Sequence, residues 1–325
     1  MERLEYIAQR LLKGVVVLLG IVVLNFLLIR LAPGDPAAVM AGEAGASDEL
    51  FLQQLRQQFG LDRPLWEQLW AYISNILSFD FGFSYRQQRP VIDLLAERLP
   101  PTLLLTGTAF VLSLVTGVTL GVMAARRAGR WSDSAITVVA LFFYATPLFW
   151  VGLMGVFLFS VTLGWLPAFG MGSVGVKLTG FERLVDAARH LVLPALTLTL
   201  FHMAVYARMT RASMLEVRDQ DFVRTARAKG VAEGRILRRH VLRNAILPVV
   251  TIAGMKAGYL LGGSIVVETV FAWPGIGRLA YEAVLQRDYN VLLGVFLVTS
   301  AVVIAVNLAT DIVYSLVDPR IELGA

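Results

Sequence analysis

The sequence predicts an all-α polytopic membrane protein with six transmembrane helices and both chain ends on the cytoplasmic side. Three observations predict it. Of 325 residues, 57% are hydrophobic and only 16% are charged, against about 25% charged in soluble domains. Apolar stretches near the ~20 residues needed to cross ~30 Å of hydrocarbon recur six times. Lys and Arg gather in alternate connecting segments, the bias expected of cytoplasmic loops.

The spans are taken in chain order. The first covers about residues 12–31 and follows Arg3, Arg10 and Lys13. Its apolar core, Gly14 to Ile29, is longer than a signal-peptide core and lacks an A-x-A cleavage site directly after it, so it is read as a retained helix. The second, about 102–125, has no charge; the third, about 135–163, is over-long and contains Pro147. The fourth, about 191–207, is short and contains Pro194. The fifth and sixth cover about 246–267 and about 290–310. Proline removes an amide donor, so Pro147 and Pro194 are expected to kink or end their helices. With the N-terminus inside, the inner segment 207–246 holds ten Lys/Arg, the strongest concentration in the chain.

No repeat or low-complexity tract divides the chain, which reads as a single transmembrane domain, 1–325. Its longest outer loop is 32–99. Three amphipathic segments are expected there: SDELFLQQLRQQFG, with Ser47 as helix cap and Gly60 as stop; RPLWEQLWAYISNIL, with Leu65, Leu69, Tyr72, Ile73 and Ile76 on one stripe; and PVIDLLAERLP. Such helices lie on the outer surface, capping the bundle or seating an external partner.

Several function classes lose support. The absence of cysteine excludes disulfides, thiolate metal sites and cysteine nucleophiles. The net charge of +5 is placed relative to a bilayer, which favours no nucleic-acid partner. There is no G-x-x-x-x-G-K-[ST] and no H-E-x-x-H, and His190, His202 and His240 stand in separate regions. No catalytic residue and no metal site is predicted. GMGSVG (170–175) matches G-x-G-x-x-G but follows no strand and opens no helix, so it is read as a turn.

Positive signals remain inside the spans. Lys256 lies within the fifth, where a charge costs at least ~2.5–3.5 kcal/mol. It either lines a wet pathway, together with His202 and Asn307, or snorkels to the surface. Asn25, His202 and Asn307 could each line the pore, but interhelical hydrogen bonds are the commoner role of such residues. Gly254, Gly258 and Gly262 form a small-residue ridge for helix packing, about 200° around the axis from Lys256. Gly117 and Gly121 offer a second such face.

The stretch RTARAKGVAEGRILRRHVLRNAILP (224–248) carries seven Lys/Arg and one acid between two apolar spans. Apolar residues Met214, Val217, Phe222, Val223, Ala226, Ala228, Ile236, Val241 and Leu242 are interleaved with this charge, and Gly230 interrupts it. Two readings are open. Either short amphipathic helices fill a partner's groove while the cations meet its acids, or a basic loop is held by anionic headgroups.

The chain resembles the permeases of bacterial ABC importers, and more closely the dipeptide/oligopeptide/nickel family, first permease subunit of the dipeptide type. RMTRASMLEV (208–217), DFVRTARAKG (221–230), LRNAILPVVT (242–251), ETVFAWPGIGR (268–278), RDYN (287–290), DPRI (318–321), LAPGDP (31–36) and FGLDRPLWEQ (59–68) carry the resemblance, in order along nearly the whole chain. Two features depart from the general E-A-A-x3-G pattern of the cytoplasmic loop. Arg224-Thr225-Ala226 stands at the E-A-A positions, and the interval from Gly230 to Leu247 is longer.

The resemblance implies a type I ABC importer transmembrane domain in the bacterial inner membrane, working as a pore-forming subunit with no catalysis of its own. It implies a second homologous permease subunit, two ATPase subunits carrying ATP and Mg, and an extracytoplasmic substrate-binding protein. No cofactor is expected on this chain. Asp221, Phe222, Arg224, Thr225, Ala226, Arg227, Ala228, Lys229 and Gly230 would form the coupling helix that docks in an ATPase groove. Di- and oligopeptides are the substrates that the closest resemblance implies; nickel, glutathione or another small solute are alternatives. A stand-alone secondary transporter is the reading from a different class, and an intramembrane enzyme lacks clustered catalytic residues at depth.

Overall fold

A computed structural model describes residues 2–31 and 62–317 of the chain. The segments around Ser47–Gly60, LAPGDP and DPRI lie outside the described residues. Apart from one short hairpin, the regular elements of the described chain are helices. In order it holds α1 (Glu2–Leu31), α2 (Leu65–Leu77), β1 (Phe83–Ser84), β2 (Arg89–Pro90), α3 (Val91–Arg126), α4 (Trp131–Ala145), α5 (Leu148–Gly155), α6 (Phe181–Arg218), α7 (Asp221–Ala228), α8 (Arg243–Val270), α9 (Ile276–Gln286) and α10 (Tyr289–Val317). Among the described residues, four helices have the length and apolarity of spans, at Gln9–Leu28, Val91–Arg126, Phe181–Arg218 and Tyr289–Thr310. Trp131–Ala145 and Leu148–Thr162 form a fifth if the bent pair is one span.

The chain divides into two compact units, Met1–Pro100 with Leu279–Ile304, and Pro101–Arg278 with Ala305–Ala325. In the first, α1 exposes Leu12, Val16 and Leu24, as a lipid-facing helix does. Asn25 is buried, and its amide donates to Leu293 O at 3.4 Å. Tyr72 of α2 packs on Phe26 at 6.0 Å between rings, while Trp66 and Trp70 stay exposed on the opposite side. The RDYN residues join this unit's ends. Asp288 accepts from the Val291 amide and from buried Ser84 Oγ, and Asn290 donates to Phe83 O at 3.0 Å.

The second unit is built around α6. Within its most apolar window, 61% of residues are buried, against 28% for α3. α3 crosses it closely. A Cβ on Gly117 would lie 2.6 Å from Tyr206 Cβ, and one on Gly121 would lie 2.6 Å from Ala207 O. Those are distances that only glycine permits, the close approach small residues provide between apolar helices.

Three expected boundaries are corrected. The helix that carries the fourth span is 38 residues long, extending beyond the expected 191–207 at both ends, and runs through Pro194. Its polar ends looked like loop because their partners are remote in sequence. Asp186 Oδ2 accepts from the Ser173 amide at 2.7 Å, and Arg211 is paired with Asp133. The residues counted as the start of the 207–246 loop are therefore the last turns of α6. The PVIDLLAERLP segment is no separate surface helix: α3 begins at Val91 and continues through Pro100 and Pro101 to Arg126. The Pro101 carbonyl is satisfied by Trp273 Nε1 at 2.9 Å. The third span is not one straight helix. It bends by 103° at Thr146-Pro147, where the residue before proline is pushed to extended backbone (φ −80°, ψ 136°).

Candidate functional site

The charged end of the second unit is built from α7 outward. Asp221 places an acid in the first turn, favourable to the helix dipole. Gly230, at φ +74°, closes the helix with two bonds, Val231 N to Ala226 O at 3.2 Å and Gly230 N to Arg227 O at 2.9 Å. This is the Schellman arrangement, and its left-handed residue is why glycine stands there. The interval before α8 is filled by a helical turn at Glu233–Arg235 and a π-helical turn at Ile236–Leu242. These account for the long spacing from Gly230 to Leu247.

The apolar residues of this region do not form one docking face. Val223 is fully buried, and with Ala226, Ala125, Met214, Val217, Ile236, Val241 and Ala245 it forms one core cluster. The expectation that Met214, Val217, Val223 and Ala226 fill a partner's groove is therefore corrected: these residues fasten α7 to its own chain. An eight-residue helix with a two-residue apolar stripe can cover only one surface, and that surface is taken. Phe222 is the large apolar side chain left outside, at 41% exposure. Around it stand Asp221, Arg224, Thr225, Arg227, Ala228 and Lys229, all exposed. Arg227 Nε donates to Glu233 Oε1 at 2.7 Å, and Arg224 lies 3.7 Å from the almost fully exposed Asp221 carboxylate. α7 thus presents one aromatic ring within a mixed-charge rim, on a base locked into the fold.

Of the three proposed pathway residues, Lys256 is exposed on α8, and the His202 ring on α6 stands edge-on to Phe201 at 5.2 Å. Asn307 is exposed on α10. The glycine ridge is only partly a packing face. Gly254 and Gly258 are buried, but Gly262 is exposed and a Cβ there would meet nothing within 4 Å. The GMGSVG turn is a pinned loop: Ser173 donates to Asp186 through both its amide and its hydroxyl at 2.7 Å.

Sequence reasoning missed two polar constellations. Glu268, at the end of α8, is fully buried. Its carboxyl group accepts from Thr102 Oγ1 at 2.8 Å and the Arg278 amide at 2.9 Å, and also from the Ser264 hydroxyl and the Gly277 amide. Thr102 Oγ1 in turn accepts from the Ile276 amide at 2.8 Å. The glycines of ETVFAWPGIGR make room for this group, since a Cβ on Gly275 would overlap the carboxyl. An acid followed by G-x-G at fixed spacing was the available signal. The second constellation is the two-point pair of Arg211 with Asp133, Nε to Oδ1 at 2.6 Å and a terminal nitrogen to Oδ2 at 2.7 Å. Nothing local in the sequence links residues 78 apart.

Comparison with known proteins agrees with this architecture. Residues 117–323 match the family described as binding-protein-dependent transport system inner membrane component, and residues 3–106 match the N-terminal component of such systems. The glutathione transport system permease protein GsiC of Escherichia coli (strain K12) is 43% identical over 319 residues, covering 98% of this chain and 99% of that protein. A Brucella abortus (strain 2308) protein, provisionally named a peptide transport system permease, is 41% identical over 320 residues, covering 97% and 98%. Among solved structures, an inward-facing form of the MetNI methionine ABC transporter shares the fold. Its TM-score is 0.56 at 20% identity, over 69% of this chain and 96% of that one. The chain therefore belongs to the family of binding-protein-dependent transport system inner membrane components: it is a multi-pass permease subunit of a bacterial ABC importer, a transport component rather than an enzyme.

Proposed function

We propose that this permease imports short peptides, from dipeptides to tripeptide-like solutes such as glutathione. The observation that carries this reading is the near full-length identity to permeases named for glutathione and for peptide transport. The whole chain acts as one permease domain with six spans and both ends inside. α8, with 28 residues, supplies the span beyond the four long helices and the bent pair. A second permease subunit completes the pore, and an extracytoplasmic binding protein delivers the solute.

Two ATPase subunits, which hold the ATP and Mg, dock below. α7 is the element they grip: Phe222 enters the ATPase groove, while Arg224 and Lys229 meet acids on its rim. Because α7 is fastened to α3, α6 and α8 through the Val223 cluster, movement of the ATPase is transmitted to the helices around the pore. The contact shifts the pore equilibrium because it differs between its two states. Lys256 and His202 line the route, and Lys256 meets the carboxylate of the passing peptide.

The test is uptake of labelled dipeptide, tripeptide, glutathione and nickel. Cells lacking this gene are compared with cells complemented by the native gene or by the Gly230→Pro variant. Loss of peptide and glutathione uptake in the deletion and in the inserted variant is the expected result. Loss of nickel uptake alone moves the substrate to the metal class. Normal peptide uptake with Lys256→Met removes that lysine from the route.

A further inference from the structure

Between α4 and α6 lies a cavity of about 530 Å³, within the range of ligand pockets. Val138, Leu141, Ala204 and Ala207 supply apolar wall, and Arg208 and Arg211 bring two guanidinium groups to one side. The two arginines are not equivalent. Arg211 is held at two points by Asp133, whose carboxylate also accepts from the Gly129 amide at 3.0 Å. Arg208, one turn earlier on the same face, has no carboxylate partner among the described residues. Its guanidinium lies 5.5 Å from the centre of the Tyr144 ring. A guanidinium that stacks on an aromatic ring keeps its N–H fork for a planar or tetrahedral anion. The site therefore carries one uncompensated positive charge beside an apolar wall.

The surroundings select the anion. Trp131, at the start of α4, is 82% exposed. Exposed Arg126, Arg127 and Arg130 lie immediately before it. Exposed tryptophan beside clustered arginine at a helix end is the signature of the membrane–water interface, and basic pockets between spans at that depth suit acidic headgroups. A small hydrated anion would leave the apolar wall unused. We propose that this groove is a binding site for an anionic phospholipid of the bilayer. The phosphate is held by Arg208 and by the outward edge of Arg211, and one acyl chain lies along Val138 and Leu141. A lipid bound this way braces α4 against α6, beside the Asp133–Arg211 pair.

The test uses the full-length chain purified in detergent. Retained lipid is counted by native mass spectrometry after titration with dioleoyl-phosphatidylglycerol, dioleoyl-phosphatidylcholine or inorganic phosphate. The expected result is at least tenfold tighter retention of the phosphatidylglycerol. It falls about tenfold in Arg208→Gln and is unchanged in Arg239→Gln, a basic control outside the cavity. Ser134→Trp, which fills the groove and keeps both guanidinium groups, is the second variant should Arg208→Gln not fold; it too is expected to lose the lipid. Equal retention of the two lipids, or full retention in either groove variant, overturns the proposal. Displacement of the lipid by inorganic phosphate alone overturns it in favour of a simple anion site. Displacement by labelled tripeptide overturns it in favour of a stretch of the solute route.

Discussion

The two ends of α8 handle charge in opposite ways. At the Glu268 end, one carboxyl group is shut away from solvent and surrounded by hydroxyl and amide donors from three segments of chain. At the other end, the segment leading into α8 from α7 keeps Arg224, Arg227, Lys229, Arg235, Arg238 and Arg239 on the surface. Burying a carboxyl is tolerable only where its lone pairs are occupied, so the Glu268 arrangement has to be complete to exist. The α7 end leaves its charges, including the Arg227–Glu233 pair, exposed, which costs little in contact with water and leaves them available to a partner. Polar groups satisfied internally hold the fold, and those presented outward on a fixed base are where a partner can act.

The largest effect is expected at the buried end. Glu268→Ala strands the Thr102 hydroxyl and the Arg278 and Gly277 amides. Each unsatisfied buried group costs ~1–3 kcal/mol, so the loss of stability is about 3 kcal/mol or more. Thermal melts of the purified protein and the yield of folded chain both read it. Glu268→Gln, which keeps one acceptor oxygen, should lie between. An alanine variant that melts like the native protein would remove the distinction drawn between the two ends.

Next in size is the glycine contact between α3 and α6. Gly121→Val drives a side chain into Ala207 O and Thr210, and overpacking of this kind costs ~1–3 kcal/mol. Gly262→Val enters open space and should change stability by less than ~0.5 kcal/mol. If Gly262→Val leaves the isolated chain unchanged but blocks co-purification of the second permease subunit, the outer part of the ridge belongs to that interface.

These two glycine sites also mark what could be read from sequence. The small-xxx-small spacing was visible at both, yet spacing alone cannot tell which face meets a neighbour in the same chain. The long apolar helices α1, α3 and α10 were legible because lipid exposure demands an unbroken apolar run. α6 was truncated in the reading because its ends are polar. Asp186, Arg208 and Arg211 look like loop residues until Ser173, Tyr144 and Asp133 arrive from elsewhere in the chain. α7 was legible in position but not in the face it buries. Val223 and Ala226, three apart, already define an inward stripe, and crowding by charge obscured it. Glu268 was visible only as part of the ETVFAWPGIGR motif, because its donors come from Thr102 and from a turn that has no periodicity.

On the exposed end the predicted effects are smaller and separate function from folding. Arg224→Glu and Lys229→Glu should leave insertion and melting within ~0.5 kcal/mol of native, as surface substitutions do. ATP-driven uptake should fall about tenfold, the factor that ~1.4 kcal/mol of lost coupling produces. Phe222→Ala should behave in the same way. If all three variants transport normally, α7 is held on its own chain and nothing more.

The smallest effect tests whether Arg227 belongs with the outward charges or with the fold. Its guanidinium is partly exposed and meets Glu233, across the Gly230 turn, at 2.7 Å. An exposed pair of this kind is worth ~0.2–1 kcal/mol. Arg227→Met and Glu233→Gln should therefore lower stability by similar small amounts, and the double variant should cost no more than either one alone, since the same interaction is lost once. Salt should erase the difference. Uptake decides the rest. If Arg227→Met reduces transport while Glu233→Gln does not, the arginine serves the ATPase and its bond to Glu233 is a resting contact that docking replaces. If both variants lower uptake equally, the pair acts by holding the turn behind Gly230, and the surface that the partner reads narrows to Phe222, Arg224 and Lys229.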